Sequence, residues 1–477
     1  MLAVPATIVV AACASAPVVA RPEIGVPVPD AWTAAEVPAG DIEVEWWSDF
    51  GDPTLDSAVR LALERNHDLQ AAAARLEQAA ADSRIAGADL QPTVQASFAS
   101  SRRKQNFIGF PIPGREDTVL STISANVGVS VETSWEADLW GRLRAGARAS
   151  LADLQSTAAD FRGAQLSLAG QTVKAWLAAV EARQQVTLAE ATVTSFRASS
   201  DQVRARFEQG LRPSLDLRLA LANLAGAEAL LQQRRQQLDA TRRQLNVLLG
   251  QYSGAGLQIP AELPTVPPPV PAGLPSDLVA RRPDLVAAER RLAAATERLD
   301  VARRDLYPRL SLTASGGTAS SALRDLVDPG LSVWSLASSV LQPILQGGRL
   351  RAGVDRAEAR IEEALASYTS SALLAYSEVE EALAADAFLA ERSGFLVGAA
   401  EQSRAAELLA NDRYRAGLEG FVTVLESQRQ ALQAEGELIA VRRLHLENRV
   451  DLYLALGGGF HQLEAPLVMT DPEPLQP

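Results

Sequence analysis

The sequence predicts a mainly α-helical protein with a membrane β-barrel, built from two internal repeats of helix–β-hairpin–long helix–turn–helix. Three observations predict this. First, the stretch from Ala62 to Pro92 returns as Leu278 to Pro308, with Asp68-Leu69, Arg75-Leu76 and Asp89-Leu90 aligned on Asp284-Leu285, Arg291-Leu292 and Asp305-Leu306 at one constant spacing (305 − 89 = 216); a repeat of this kind fixes the architecture. Second, behind each closing proline the hydrophobic period changes from helical to two. Third, a Pro-free segment of some 68 residues, from Arg142 to about Gln209, follows the first hairpin, and a counterpart follows the second.

Composition narrows the class. At 477 residues the chain exceeds one compact core. Aromatics at 5% amid abundant Ala suit closely packed helices. A net charge of −13 argues against a nucleic-acid partner. No run reaches the roughly 18 apolar residues of a spanning helix. Any membrane crossing must therefore be a closed β-barrel, the other structure that satisfies its backbone in lipid.

The single cysteine, Cys13, rules out disulfides within the chain and Cys-rich metal sites. It follows a short apolar run, Leu2 to Ala12, ending Val10-Ala11-Ala12-Cys13, which resembles a bacterial lipoprotein signal with Cys13 as the lipidated residue. The alternatives are an ordinary signal peptide or a buried free thiol. No Lys or Arg precedes the run. Ala14 after the cysteine, in that resemblance, directs the lipoprotein to the outer membrane.

In chain order, residues 1–12 read as the signal and 13–54 as an extended N-terminal arm, Pro- and Val-rich up to Glu45, then Trp46-Trp47 and Asp52-Pro53. Residues 55–250 form the first repeat. Its opening helix stops at Pro92, which cannot continue it. Hairpin strands are expected within about 91–139. Ile123, Ala125, Val127, Val129 and Val131 alternate with Ser124, Asn126, Gly128 and Ser130, the pattern of a half-buried strand. Thr93 to Ser101 is the expected partner, joined by a loop from Arg102 to Thr118. In the long helix Ala147, Leu154, Phe161, Leu168 and Ala175 recur every seven residues, a coiled-coil seam of small knobs. Its length of roughly 100 Å at 1.5 Å per residue indicates selection for reach.

The turn Arg206-Phe207-Glu208-Gln209-Gly210-Leu211 is matched by Arg413-Tyr414-Arg415-Ala416-Gly417-Leu418 (417 − 210 = 207), with each glycine expected as a left-handed helix cap. A return helix from Ser214 to Gly250 is mirrored by Phe421 to Gly457. Residues 251–277 are a Pro-rich crossover, 278–457 the second repeat with strands within about 307–346, and 458–477 a C-terminal tail.

Catalytic constellations are absent from the sequence. His67, His445 and His461 are isolated, with surface or packing roles expected. Ser101-Arg102-Arg103-Lys104 matches Ser-x-x-Lys by chance, in a hairpin instead of at a helix start. No enzymatic activity, cofactor or metal is expected. Function must then lie in shape. Four strands cannot close a membrane barrel, which needs at least about eight. Three chains supply twelve strands, and cyclic assembly removes the exposed edges. The expected assembly is a homotrimer, a 12-stranded barrel on an α-helical tunnel.

Trp46-Trp47 with Asp52-Pro53, Trp135-Glu136-Ala137-Asp138-Leu139-Trp140-Gly141-Arg142, Leu274-Pro275-Ser276-Asp277-Leu278 with Arg282-Pro283-Asp284, and the Arg413-Tyr414 turn together resemble the TolC-type outer-membrane efflux proteins, in their lipoprotein branch (NodT/OprM type). The resemblance runs from about residue 13 to 460. It implies a lipid-anchored outer-membrane trimer with a long periplasmic portion, an exit duct passively conducting small molecules such as drugs. Its implied partners are a periplasmic adaptor, an inner-membrane pump of the resistance-nodulation-division class and outer-membrane lipid. By the same resemblance, Arg206, Phe207, Gly210, Leu211, Arg413, Tyr414, Gly417 and Leu418 would form the adaptor-docking tip. Val422, Glu426 and Arg429, spaced four and three along one helix face, would form the periplasmic gate. Leu215 and Leu219 stand in the first repeat where the second has Val422 and Glu426. The competing readings are the exit duct of type I protein secretion, against which a lipidated N-terminus weighs, and a periplasmic coiled-coil adaptor or scaffold, which would not carry two complete repeats.

Overall fold

In the computed structural model the described residues are 29–34, 40, 42–108, 119–273 and 275–459, so Cys13, His461 and most of the expected arm and tail lie outside them. The elements run in the order α1 (Pro53–Arg65), α2 (His67–Ala88), β1 (Thr93–Phe107), β2 (Leu120–Ala137), α3 (Arg142–Glu208), α4 (Ser214–Leu248), α5 (Pro275–Arg281), α6 (Pro283–Arg304), β3 (Arg309–Ser320), β4 (Ser332–Leu341), α7 (Arg349–Arg415) and α8 (Phe421–Ala455). The repeat is kept to the residue: α2 and α6 each have 22 residues, α3 and α7 each 67, α4 and α8 each 35. The chain forms two compact units, one from residues 77–155 and 290–366, the other from 22–76, 156–289 and 367–477, as far as these are described.

The first unit holds the sheet, four antiparallel strands in the order β1-β2-β3-β4. Register decides which side chains share a face. Ala96 lies opposite Val131, Phe98 opposite Val129, Val131 opposite Gly316, Trp135 opposite Leu312, and Ala314 opposite Leu336. One face is therefore apolar. The other carries Gln95, Ser97, Ser130, Glu132, Ser311, Thr313, Ser315 and Ser335. The half-buried strand expected from the alternation is instead exposed: Phe98 at 59%, Val131 at 49% and Leu336 at 76% stand clear of the chain's own core. The alternation is correct, but among the described residues little covers the apolar side apart from the ends at Val127 and Ser320, which are buried. β1 also runs on to Phe107, so Arg102, Arg103 and Lys104, expected in the loop, belong to the strand. In this unit Ala152 of α3 packs with Ala293 and Ala294 of α6, small residues that let helices approach closely.

The second unit contains the main core. Trp46 stacks on Tyr453 at 4.8 Å and meets Trp47 edge-on at 5.8 Å. The Tyr453 hydroxyl donates to Asp49 at 2.5 Å, and the Trp176 indole donates to Asp52 at 3.1 Å. Asp52 also caps α1 through Thr54 N and Leu55 N. Trp46-Trp47 and Asp52-Pro53 are thus the wedge that seats α1 against α3 and α8.

Two expectations are corrected. The opening helix of each repeat is broken, at Asn66 and at Arg282. Arg282 precedes a proline, which disfavours the helical conformation. Asn66 leaves the helix at ψ 125° and turns its side-chain oxygen to accept from Asp68 N and Leu69 N, capping α2. The expected seam of α3 is also displaced. Its most deeply buried stripe is Ala145, Ala152, Ala159, Leu166, Val173 and Val180, each at most 6% exposed, whereas on the expected seam Leu154 and Leu168 are buried but Ala147, Phe161 and Ala175 are half-buried. Both stripes repeat every seven residues and both are apolar throughout, so the pattern alone does not distinguish them.

Candidate functional site

The two helix turns lie in the second unit and share one backbone device. Gly210 and Gly417 take φ of 71° and 77°. Leu211 N donates to Arg206 O at 2.9 Å and Leu418 N to Arg413 O at 2.9 Å, while Gly210 N reaches Phe207 O and Gly417 N reaches Tyr414 O. These paired bonds satisfy the last carbonyls of α3 and α7 and require the left-handed residue that only glycine supplies cheaply.

The side chains divide into two groups. Phe207, Leu211 and Leu418 are exposed, the leucines at 67% and 68%. Tyr414 is buried against Phe421, Val424 and Val203. Its ring lies between two guanidinium groups, Arg206 at 4.7 Å and Arg212 at 5.0 Å from the centroid. Arg206 donates further to Tyr414 O at 2.9 Å and Arg415 O at 2.8 Å, and Arg212 donates to Glu419 O. Cations at the carbonyl end of α7 also complement its dipole. Arg413 instead pairs with Glu419 at 3.5 Å. Of the eight tip residues expected from the sequence, Arg206 and Tyr414 fasten one turn to the other. Phe207, Leu211 and Leu418 present bare apolar surface. Arg212 has the same clamping role and was missed, because a lone arginine before a proline carries no signal.

Val422, Glu426 and Arg429 fall together on one exposed face of α8. Glu426 accepts only a long bond from Gln430 at 3.4 Å, and no ion pair joins it to Arg429 among the described residues. Beneath this face sits a polar layer the sequence did not reveal. Gln428 of α8 donates to Ser195 at 3.0 Å and Ser199 at 3.1 Å on α3, and the Ser195 hydroxyl donates to Glu407 of α7. Burial raises the Glu407 carboxyl above its ordinary range, with help from Glu435 and against the Ser195 hydrogen bond and Arg404. Isolated Ser and Gln in an Ala-rich coil have no periodic signature.

His445 is buried, accounted for by Asp386, which also holds the buried Arg449 at 2.9 Å. His67 is exposed beside Gln70.

An exposed apolar sheet face with two open edges, and paired long helices ending in apolar turns, define a subunit of a membrane channel. No described helix is long and apolar enough to cross a membrane. The chain belongs to the outer membrane efflux protein family, whose profile matches residues 58–251 and 274–458, both repeats. It is 33% identical over 457 residues to the pyoverdine export outer membrane protein OpmQ of Pseudomonas putida, covering 93% of this chain and 94% of that one. It is 32% identical over 421 residues to the solvent efflux pump outer membrane protein SrpC of Pseudomonas putida, covering 86% of each. The solved outer-membrane channel OprN superposes with a TM-score of 0.84 at 30% identity, over 94% of this chain and 100% of that one. The chain is accordingly an outer-membrane efflux channel, the type of component that works with an adaptor and an inner-membrane pump in a tripartite system.

Proposed function

We propose that the chain assembles as a homotrimeric exit duct that passively passes small molecules from the periplasm to the exterior, served by a pump of the resistance-nodulation-division class. The observation that carries this is the sheet. β1 and β4 each leave an edge unpaired, and one face is largely apolar and exposed, with Val127 and Ser320 as buried exceptions. Joining β4 of one copy to β1 of the next, three times, gives twelve strands with no edge left and an apolar exterior. Pyoverdine and solvents are the cargo named for the relatives, and they support small organic molecules as the substrate class here. The domain division at residues 12, 54, 250, 277 and 457 belongs to the same reading.

In this reading Phe207, Leu211 and Leu418, shaped by Gly210 and Gly417, clamped by Arg206 and Tyr414 and flanked by Arg413, form the tip that docks the adaptor. Val422, Glu426 and Arg429 form the gate. Both side chains are exposed and neither has an ion pair among the described residues, which is compatible with pairing of Glu426 or Arg429 across the threefold axis. Cys13 carries the lipid anchor. Purified protein reconstituted in planar bilayers should run as a trimer and conduct, and Glu426→Ala should raise its closed-state conductance. A monomer without conductance would sink the duct, and an unchanged closed-state current in Glu426→Ala would sink the gate. Cys13→Ser should abolish labelling by radioactive palmitate; persistent labelling refutes the anchor.

A further inference from the structure

The apolar face of the sheet has a charge pattern of its own. On β1 it consists of Val94, Ala96, Phe98, Ser100, Arg102, Lys104 and Asn106, and the residues opposite run from Thr133 back through Val131, Val129, Val127, Ala125 and Ile123 to Ser121. On β3 and β4 it continues through Leu310, Leu312, Ala314 and Gly316 with Val340, Ser338, Leu336 and Trp334. Among the described residues of this face only Arg102 and Lys104 are charged, and both are cations at the hairpin end. Glu132, Glu136, Arg103 and Arg309 all lie on the opposite face. The neighbours across from Arg102 and Lys104 are Ala125 and Ile123. Both cations are exposed, and neither forms an ion pair with a described residue.

Their height follows from register. Trp135 lies at the helix end of β2, its indole donating to Leu90 O, and near it Trp140 stacks on Tyr307 at 5.3 Å. These aromatics mark one membrane interface. From Trp135 to Ala125, the partner of Arg102, β2 runs ten residues, about 34 Å at ~3.4 Å per residue. At a tilt of ~40° that is a height of about 26 Å, matching the apolar band of roughly 25 Å in outer-membrane barrels. Arg102 therefore sits at the far edge of the hydrocarbon and Lys104 just beyond it. The hairpin end is the exterior side, because the helices that serve adaptor and pump leave from the other end of the strands.

We infer that Arg102 and Lys104 form a binding site for the phosphates of an outer-leaflet glycolipid of the lipid A type, whose acyl chains lie on the Phe98 and Val129 surface below. A guanidinium and an ammonium two residues apart on one strand face stand about 7 Å apart, close enough to share one headgroup. A phosphate takes a bidentate bond from the first and a point charge from the second. Apolar contact alone would not select the phosphorylated lipid; the two cations do.

The test uses full-length protein in nanodiscs, titrated with bisphosphorylated lipid A, dephosphorylated lipid A and phosphatidylglycerol. The wild type should bind bisphosphorylated lipid A at least about tenfold more tightly than the other two. The Arg102→Gln/Lys104→Gln pair should lose that preference while keeping its single-channel conductance, so the result is independent of the duct reading. Arg103→Gln, on the opposite face, should bind like the wild type. Undiminished binding by the double variant, an equal loss in Arg103→Gln, or equally tight binding of phosphatidylglycerol would each overturn the site.

Discussion

Removing the Arg282 guanidinium should loosen the second repeat by about 3.5 kcal/mol. Its side chain is 10% exposed and makes a fork to Asp284 at 3.0 and 2.8 Å, a bond to Glu378 at 2.6 Å and a bond to Ala455 O at 3.0 Å. Asp284 and Glu378 are themselves 51% and 42% exposed, so each ion pair is discounted to about 1 kcal/mol. The Ala455 carbonyl, at the end of α8, has no further helical donor and loses a charged hydrogen bond of about 1.5 kcal/mol. The first repeat shows how to restore part of this. Asn66 occupies the position equivalent to Arg282 (282 − 66 = 216) and donates at 3.1 Å to Leu248 O, the equivalent of Ala455 O (455 − 248 = 207). Arg282→Asn should therefore recover about 1 kcal/mol relative to Arg282→Ala. Thermal unfolding followed by circular dichroism at one scan rate should place the Ala midpoint about 7–14 °C below the wild type, at ~2–4 °C per kcal/mol for a large domain, with Asn between them. An Ala variant within about 2 °C of wild type, or an Asn variant no better than Ala, would refute the reasoning.

Gly317→Ala should reduce the amount of folded protein in the outer membrane severalfold, because its Cβ would come 2.0 Å from Val129 O and 2.8 Å from Ser130 Cα, both backbone. Gly316→Ala, with open space around it, should assemble normally, and heat-modified gel mobility separates the two outcomes. Tyr414→Ala should unclamp the turns and lower the unfolding midpoint, at a cost of about 3 kcal/mol or more for a buried aromatic. Tyr414→Phe should not, since the buried hydroxyl has no hydrogen-bond partner among the described residues. Glu407 has a raised pKa in the native state, so its contribution is favourable below the carboxylate's unfolded value of about 4.3 and is lost as pH rises through the native value. Glu407→Gln should accordingly raise the unfolding midpoint at pH 7 relative to wild type and bring the two together near pH 4; a larger difference at the acid end contradicts the assignment.

The architecture was legible because each element carries a local physical signature. Pro92 and Pro308 stop helices, alternation from Ile123 to Val131 gives a strand, and Gly210 and Gly417 close helices in the left-handed region. What was not legible depended on a partner remote in sequence. The break at Asn66 has no proline to announce it and is held by a carbonyl 182 residues away. The buried seam of α3 follows Ala145 and Val180 instead of Ala147 and Ala175, a choice made by the helices packed against it. The Gln428–Ser195–Glu407 layer joins three helices whose sequences say nothing of one another. Exposure of the sheet is the same point inverted: the pattern was read correctly, but whether an apolar face meets protein or lipid cannot be inferred from alternation.

Duplication explains where the two halves agree and where function lets them part. Residues that close the fold are kept in pairs. Gly250 and Gly457 both press on the carbonyl that ends the neighbouring helix, at Arg65 and Arg281, where an added Cβ would approach to 2.5 and 2.9 Å. At the turns the backbone bonds are duplicated, but the side chains have diverged. Arg206 caps α7, while its equivalent Arg413 pairs with Glu419; Val422, Glu426 and Arg429 face solvent where the first repeat has Leu215, Leu219 and Ala222. A purely structural repeat would have no reason to place charge on one copy alone. In the proposed trimer the charged and the apolar version of the same helix face would alternate around the axis, so that a closing contact would form between charged faces while the apolar ones stay neutral to it. Closure of this kind can be weakened without unfolding the turn, because the clamp at Tyr414 and the charges at Glu426 and Arg429 share no bond.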